Sequence, residues 1–161
     1  EICACLVGSE MCIRDSDKLA ARKREITAGD YMLAREIAAW KRKVSAAWDG
    51  VRVVDVQRVK IDNEAIFVGS NYHFEVTVNV AGLEPSDIGA ELVIARQIEK
   101  GQAVNVVETI RMKEIAAEGS LVTYALDYRP DRAGTFDVAL RIFPSNPRLP
   151  HRMDFALVKW A

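Results

Sequence analysis

One strongly alternating stretch, Tyr72 to Val80, most constrains what this chain can fold into. Its apolar side chains occupy every second position, and polar side chains fill the positions between them: Phe74, Val76, Val78 and Val80 against Glu75, Thr77 and Asn79. Strict alternation of this length predicts a β-strand with one face buried and the other in water. Gly82 and Pro85 end that strand, and a second apolar run follows at Leu92 to Ile94.

Further segments with strand character continue to the C-terminus, separated by turn signals. The predicted strands cover residues 51–61, 72–80, 91–98, 103–112, 121–128, 135–143 and 153–160. Residues 99–102 predict a hairpin turn, residues 116–120 a break, and Pro144, Pro147 and Pro150 an unpaired connection. The predicted fold class is mainly β, an immunoglobulin-like antiparallel β-sandwich of about seven strands preceded by one or two α-helices.

Residues 17–50 have helical character. The segment DKLAARKREI is rich in helix formers, Thr27 and Asp30 give a start signal for a second helix, and Asp49-Gly50 gives its stop, with Gly50 able to adopt the left-handed conformation. One apolar stripe follows the helical period, formed by Leu33, Ile37, Trp40, Val44 and Trp48. We interpret Trp40 and Trp48 as packing residues and the basic run 41–43 as a solvated helix face.

The first sixteen residues have no hydrophobic period and no clear turn pattern. CLVGSEMCIRDS resembles the translated read-through of a sequencing adapter, a contaminant found at the ends of metagenome-derived proteins. We therefore expect residues 1–16 to be disordered and artefactual, residues 17–50 to be a helical segment, and residues 51–161 to be the β-sandwich domain. Cys3, Cys5 and Cys12 all lie in this first segment, without the fourth ligand that a closed zinc site needs.

The composition narrows the class of protein. The formal net charge of −1 gives no general attraction to nucleic acid or to an anionic membrane. No apolar run approaches the roughly 18 residues of a membrane-spanning helix, and the start lacks the features of a signal peptide. The predicted partners therefore include neither nucleic acid nor membrane, and we expect a cytoplasmic location.

The sequence contains no recognisable catalytic or phosphate-binding motif. The chain lacks both common phosphate-binding glycine motifs and the G-x-S-x-G nucleophile motif. His73 falls on the wet face of its strand, and His151 follows Pro150 in a loop, so both are read as surface histidines. We interpret Glu84, Asp87 and Glu91 as turn formers and solvated charge. No catalytic, cofactor-binding or metal-binding residue is predicted.

Three strings together carry a family likeness: AREIAAWKRKVSAAW at 34–48, YHFEVTVNVAGLEPSDIGAELV at 72–93 and RIFPSNPRLPHRMDFALVKWA at 141–161. They resemble the C-terminal end of bacterial α-glucan phosphorylases, the glycogen, starch and maltodextrin phosphorylase family. The likeness covers essentially residues 17–161, and none of the three strings is a catalytic motif.

The resemblance implies a parent enzyme that uses pyridoxal phosphate and inorganic phosphate to release glucose 1-phosphate from α-1,4-glucan. In that family the cofactor is bound to a lysine in a glycine-rich motif of the second Rossmann-like lobe. No lysine here has that context, whether Lys18, Lys23, Lys41, Lys43, Lys60, Lys100, Lys113 or Lys159. The resemblance thus implies a non-catalytic accessory or stabilising region, without cofactor, whose partners are the missing catalytic lobes.

Two other functions stay open at this stage. A β-sandwich can bind α-glucan through exposed aromatic side chains, and Tyr72, Tyr124, Tyr128 and Trp160 are available for that. Alternatively, the helix can serve as a docking or dimerisation element through Trp40 and Trp48.

Overall fold

The computed structural model describes the backbone of residues 3–58, 68–97, 104–134 and 136–161, and most side chains from Ala20 onward within those ranges. The chain divides into two compact units, Glu1–Arg42 and Lys43–Ala161. We call the second unit the two-sheet domain. The predicted turn at 99–102 lies outside the described residues.

A single helical segment, α1, runs over Cys3–Ala47 and is interrupted at Ala28 to Tyr31. Gly29, Asp30 and Tyr31 all have positive φ there, between 56° and 60°, so the segment consists of two helices. The predicted boundary is confirmed, but the Thr27 hydroxyl donates back to the Lys23 carbonyl at 2.9 Å instead of capping the second helix. The first helix begins at Cys3 and therefore includes most of residues 1–16, the segment for which the sequence predicts disorder.

The second helix ends in a 3₁₀ turn, Trp48–Gly50, where the Val51 amide donates to the Trp48 carbonyl at 3.1 Å. The predicted stop is therefore confirmed, but its reason differs. Gly50 is not left-handed. An ideal Cβ at Gly50 would lie 2.9 Å from the Cβ of Ala81, so the glycine permits a close approach to the turn after the second strand.

Within the described ranges, eight antiparallel strands form two four-stranded sheets. The strands are β1 Arg52–Arg58, β2 Tyr72–Asn79, β3 Ile88–Gln97, β4 Val104–Arg111, β5 Lys113–Glu118, β6 Leu121–Tyr128, β7 Asp137–Pro144 and β8 Lys159–Trp160. The strand orders are β1-β2-β6-β5 and β4-β3-β7-β8. The prediction of a mainly β, antiparallel fold is confirmed.

The alternation of β2 appears directly in its burial. Tyr72, Phe74, Val76 and Val78 are buried, and the residues between them are partly exposed. On the neighbouring strand β6, Val122 and Tyr124 are buried at the positions paired with Val78 and Val76. One face of this sheet therefore contributes to the core, as predicted.

The strand β3 is buried over eight consecutive residues, Ile88 to Ala95. It lies between β4 and β7 in the middle of its sheet, with Leu92 paired to both Ile110 and Leu140. Among the described residues, buried apolar side chains occur between Val44 and Phe143. The core therefore belongs to the two-sheet domain and includes the end of the helix through Val44 and Trp48.

Two predictions about strands are wrong. Residues 116–120, read as a break, belong mostly to β5, an edge strand in which every residue is exposed. A strand with no buried face has no need to alternate, so its sequence carries no period. The predicted last strand, 153–160, is reduced to Lys159–Trp160, because residues 152–155 form a 3₁₀ turn.

Candidate functional site

A cleft of about 330 Å³ lies where the turn after β2, the β4–β5 corner and the loop after β7 meet. Its polar lining includes Ser86, Arg111, Glu114, Ser145 and Asn146. Proline rings, Met112 and the start of β3 supply its apolar lining. The cleft combines a cation, a carboxylate and neutral hydrogen-bonding groups, which makes it the candidate binding site of the two-sheet domain.

Asp87 does not line the cleft but fixes segments that do. It closes a 3₁₀ turn over Pro85–Asp87 by accepting a hydrogen bond from the Glu84 amide at 3.2 Å. The same carboxylate pairs with the Lys43 ammonium at 2.9 Å, and the Asp87 carbonyl accepts from the Ser145 amide at 2.8 Å. Asp87 therefore holds the turn, the end of the helix and the loop after β7 together.

The interpretation of the carboxylates as solvated charge is wrong for two of the three. Asp87 is 8% exposed and Glu91 is 4% exposed. Glu91 forms an ion pair with Arg141 across the β3–β7 pair, and the Arg141 guanidinium lies 5.5 Å from the centre of the Trp160 ring. The sequence does not reveal this, because the partners that make buried carboxylates tolerable, Lys43 in the helix and Arg141 on β7, are distant along the chain.

Tyr124 forms the floor of the cleft. Its hydroxyl donates to the Ile88 carbonyl at 3.2 Å and lies 3.4 Å from the Pro85 carbonyl. Burial raises the pKa of Tyr124, with a smaller contribution from the nearby Glu114 carboxylate. A phenol that donates to the backbone and keeps its proton stabilises the fold and is not arranged for acid–base chemistry.

Arg111 is the charged group best positioned to contact a ligand. Its guanidinium donates to the Ser145 hydroxyl oxygen at 2.6 Å and lies 5.8 Å from the centre of the Phe143 ring. The ring fits there because residue 89 is glycine, where an ideal Cβ would lie 2.8 Å from the Phe143 ring. The sequence offers one signal for this arrangement, a glycine inside a strand, which often marks a close approach.

His73 lies on the outer face of β2, as predicted. Its ring nitrogens lie 2.7 Å from an Asp127 oxygen and 2.9 Å from a Glu75 oxygen. Carboxylates only accept hydrogen bonds, so both contacts are satisfied when the imidazole is protonated. The bonds to Asp127 and then to Glu75 raise the pKa of His73 above its ordinary value, because both favour the protonated ring.

His151 is exposed, and its backbone amide contacts the Asp154 carboxylate at 3.3 Å. In the described ranges, these contacts of His151 and His73 are to carboxylates, and none of them is to a serine, threonine or cysteine side chain. Within the described residues, no three His, Cys, Asp or Glu side chains converge in an arrangement that could hold a metal ion. No helix in the described part of the chain is both long enough and apolar enough to cross a bilayer.

The fold and this site define an antiparallel β domain whose polar side chains mainly join its own segments. The chain belongs to the family described as "Glycogen phosphorylase C-terminal domain", which matches residues 48–161. The matched range begins at the buried Trp48 and includes all eight strands.

Individual relatives agree with this assignment. The chain is 28% identical over 134 residues to a maltodextrin phosphorylase of Thermococcus litoralis, covering 81% of this chain and 15% of that protein. It is 26% identical over 144 residues to glycogen phosphorylases of Mycobacterium bovis and Mycobacterium tuberculosis, covering 88% of this chain and 16% of each. The chain thus corresponds to about one sixth of the length of these relatives.

Proposed function

We propose that this chain is an accessory, fold-stabilising C-terminal region of an α-glucan phosphorylase and is not catalytic by itself. The observation that carries the proposal is the family match over 48–161. The ion pairs of Asp87 with Lys43 and of Glu91 with Arg141 support it, because these groups serve to join segments of the domain. On this proposal, pyridoxal phosphate and the phosphorolysis of α-1,4-glucan belong to lobes of the parent enzyme.

The test is a phosphorolysis assay on the purified chain, with glycogen or maltodextrin, inorganic phosphate and added pyridoxal phosphate. We expect no glucose 1-phosphate and no Schiff-base absorbance. A muscle-type or bacterial phosphorylase in parallel reactions verifies the assay. Release of glucose 1-phosphate by the chain alone would contradict the proposal.

A second candidate function is binding of α-glucan at Trp160. Among the four aromatic side chains considered for this role, Trp160 is 57% exposed, whereas Tyr72 and Tyr124 are buried. An exposed indole can stack on the apolar face of a sugar ring. Retardation of the chain in a glycogen-containing gel, abolished by Trp160→Ala, would favour this function; equal mobility with and without glycogen would count against it.

Docking through a tryptophan stripe has less support. Trp48 is 7% exposed and belongs to the core of the two-sheet domain, so its indole is already covered. Its burial agrees with the interpretation of Trp48 as a packing residue.

The immunoglobulin-like topology is also our proposal. The orders β1-β2-β6-β5 and β4-β3-β7-β8 correspond to strands A-B-E-D in one sheet and C′-C-F-G in the other when the eight strands are lettered in chain order. Superposition of an experimental structure on immunoglobulin-like domains would test it, and a different crossing of the two sheets would contradict it.

A further inference from the structure

We propose that the cleft beside Arg111 is a binding site for a small, hydroxyl-rich anion of the sugar phosphate class. Such a site goes beyond the proposed accessory function and does not depend on it, because the cleft and its side chains alone define it.

The charge of the Arg111 guanidinium is the first reason to expect an anion here. Among the residues that the structure describes, no carboxylate lies within ion-pairing distance of the Arg111 guanidinium, whose hydrogen-bond partner is the Ser145 hydroxyl. Arg141, which lies two strands away in the same sheet, pairs with Glu91 on the strand between them. A guanidinium carries five donors suited to the oxygens of a phosphate or carboxylate, and one hydroxyl leaves most of them available.

The fixed position of the Arg111 side chain is the second reason. The Arg111 guanidinium lies 5.8 Å from the centre of the Phe143 ring and donates to the Ser145 hydroxyl oxygen at 2.6 Å. Gly89 leaves room for the Phe143 ring. The Ser145 backbone is itself fixed to the Asp87 carbonyl at 2.8 Å. A side chain held in this way loses less conformational entropy when a ligand binds.

The other residues that line the cleft suit the hydroxyl-bearing part of such a ligand. Glu114, Ser86 and Asn146 also line the cleft and can accept or exchange hydrogen bonds with hydroxyl groups. The Glu114 carboxylate disfavours a second anionic group in the same space, so one anionic group beside Arg111 and hydroxyls elsewhere fit best. Pro85 and Pro147 offer apolar surface for the carbon face of a sugar ring.

The size of the cleft suits a single sugar ring, because a volume of about 330 Å³ lies at the small end of ligand sites. Tyr124 is 3% exposed and presents no stacking surface for a longer glucan. A monosaccharide bearing one phosphate is therefore the fitting occupant.

The experiment is calorimetric titration of the purified chain with three probes: glucose 1-phosphate, glucose and inorganic phosphate. We expect glucose 1-phosphate to bind at least tenfold more tightly than either of the others. Equal affinity for glucose 1-phosphate and inorganic phosphate would overturn the sugar part of the proposal. Absence of binding by all three probes at millimolar concentration would overturn the site.

Variants assign the binding to the cleft. Arg111→Gln is expected to weaken glucose 1-phosphate binding at least tenfold. Arg96→Gln is the matched control, because Arg96 is also exposed and lies over a phenylalanine ring, 5.4 Å from the centre of Phe136, but does not line the cleft. An equal loss in both variants would show that the probe senses general surface charge, and would contradict the proposal.

Glu114→Gln separates the two halves of the recognition. The amide keeps hydrogen-bonding capacity but removes the negative charge, so the preference for glucose 1-phosphate over inorganic phosphate should shrink several-fold. An unchanged preference would place the hydroxyl contacts elsewhere and overturn the role of Glu114. Circular dichroism of each variant verifies that the fold is retained.

Discussion

At the residue scale, buried charges join the two-sheet domain. Glu91 and Arg141 face each other in register between β3 and β7, and their side chains are 5% and 17% exposed. The Arg141 guanidinium also lies over the ring of Trp160, which belongs to the edge strand β8. The ion pair therefore joins the two inner strands of the sheet, and the ring contact extends this connection to β8.

Removing one partner of this pair should destabilise the domain strongly. We expect Arg141→Met to lower the free energy of unfolding by about 3–5 kcal/mol, because it leaves the Glu91 carboxylate buried without its counter-charge. Urea denaturation measures the change. The control is Arg35→Met, whose pair with Asp30 is exposed and is expected to contribute less than about 1 kcal/mol.

The double variant Arg141→Met with Glu91→Leu should recover much of the loss, since it buries apolar groups in place of two charges. A double variant as unstable as the single one would indicate that packing of the arginine stem, rather than the charge, dominates.

The contacts of His73 predict a pH dependence of stability. Because its pKa is raised in the folded chain, its contribution is fully present below the unfolded value near 6.5 and is lost as the pH rises through the folded value. The difference in unfolding free energy between the natural chain and His73→Gln should therefore shrink above about pH 6.5. A difference that stays constant between pH 6 and pH 9 would mean that the bonds to Asp127 and Glu75 do not favour the protonated ring.

At the element scale, the end of the helix behaves as part of the sheet domain. Val44 is fully buried, Trp48 is 7% exposed, and the Lys159 ammonium lies 5.8 Å from the centre of the Trp48 ring. The helical stripe predicted from sequence thus ends in two core residues. The strands predicted best are those with one buried face, since burial of one face imposes the period that the sequence displays.

We expect Trp48→Ala to lower the free energy of unfolding by about 3–5 kcal/mol, through lost apolar contact and a cavity in the core. Trp160→Ala is the matched control, because its indole is 57% exposed and should cost much less. Thermal unfolding followed by circular dichroism distinguishes them. Equal losses would show that exposure does not govern the contribution of these two tryptophans.

What the sequence could not predict are features fixed by partners distant along the chain. The strand β5 has no buried residue and hence no pattern, and the proline-rich region before β8 conceals how short that strand is. The candidate site depends on Arg111, Ser145 and Gly89, which come from three separate segments. Residue types alone do not reveal that a β4–β5 corner brings an arginine to a serine 34 positions further on.

At the scale of the whole molecule, the described core residues lie in the second of the two units. Within the described residues, the buried apolar core begins at Val44, which lies in the unit Lys43–Ala161. The family match begins at residue 48, close to the same boundary. The two-sheet domain therefore contains the groups needed for its own stability.

A chain that begins at Lys43 should fold and unfold cooperatively with a thermal midpoint close to that of the full chain. A chain that begins at Arg52 should be clearly less stable, because it lacks Val44, Trp48 and the buried Val51. Differential scanning calorimetry compares the two. Loss of the cooperative transition in the chain beginning at Lys43 would show that the first unit is required.

The contact between Lys159 and the turn before β1 has a consequence for synthesis in the cell. The Lys159 ammonium donates to the Val51 carbonyl, and to the Asp49 carbonyl at 3.2 Å, so residues about 110 positions apart close on each other. A growing polypeptide cannot make this contact until Lys159 has left the ribosomal exit tunnel. The sheet β4-β3-β7-β8 therefore stays incomplete at one edge until residues 159–160 have emerged.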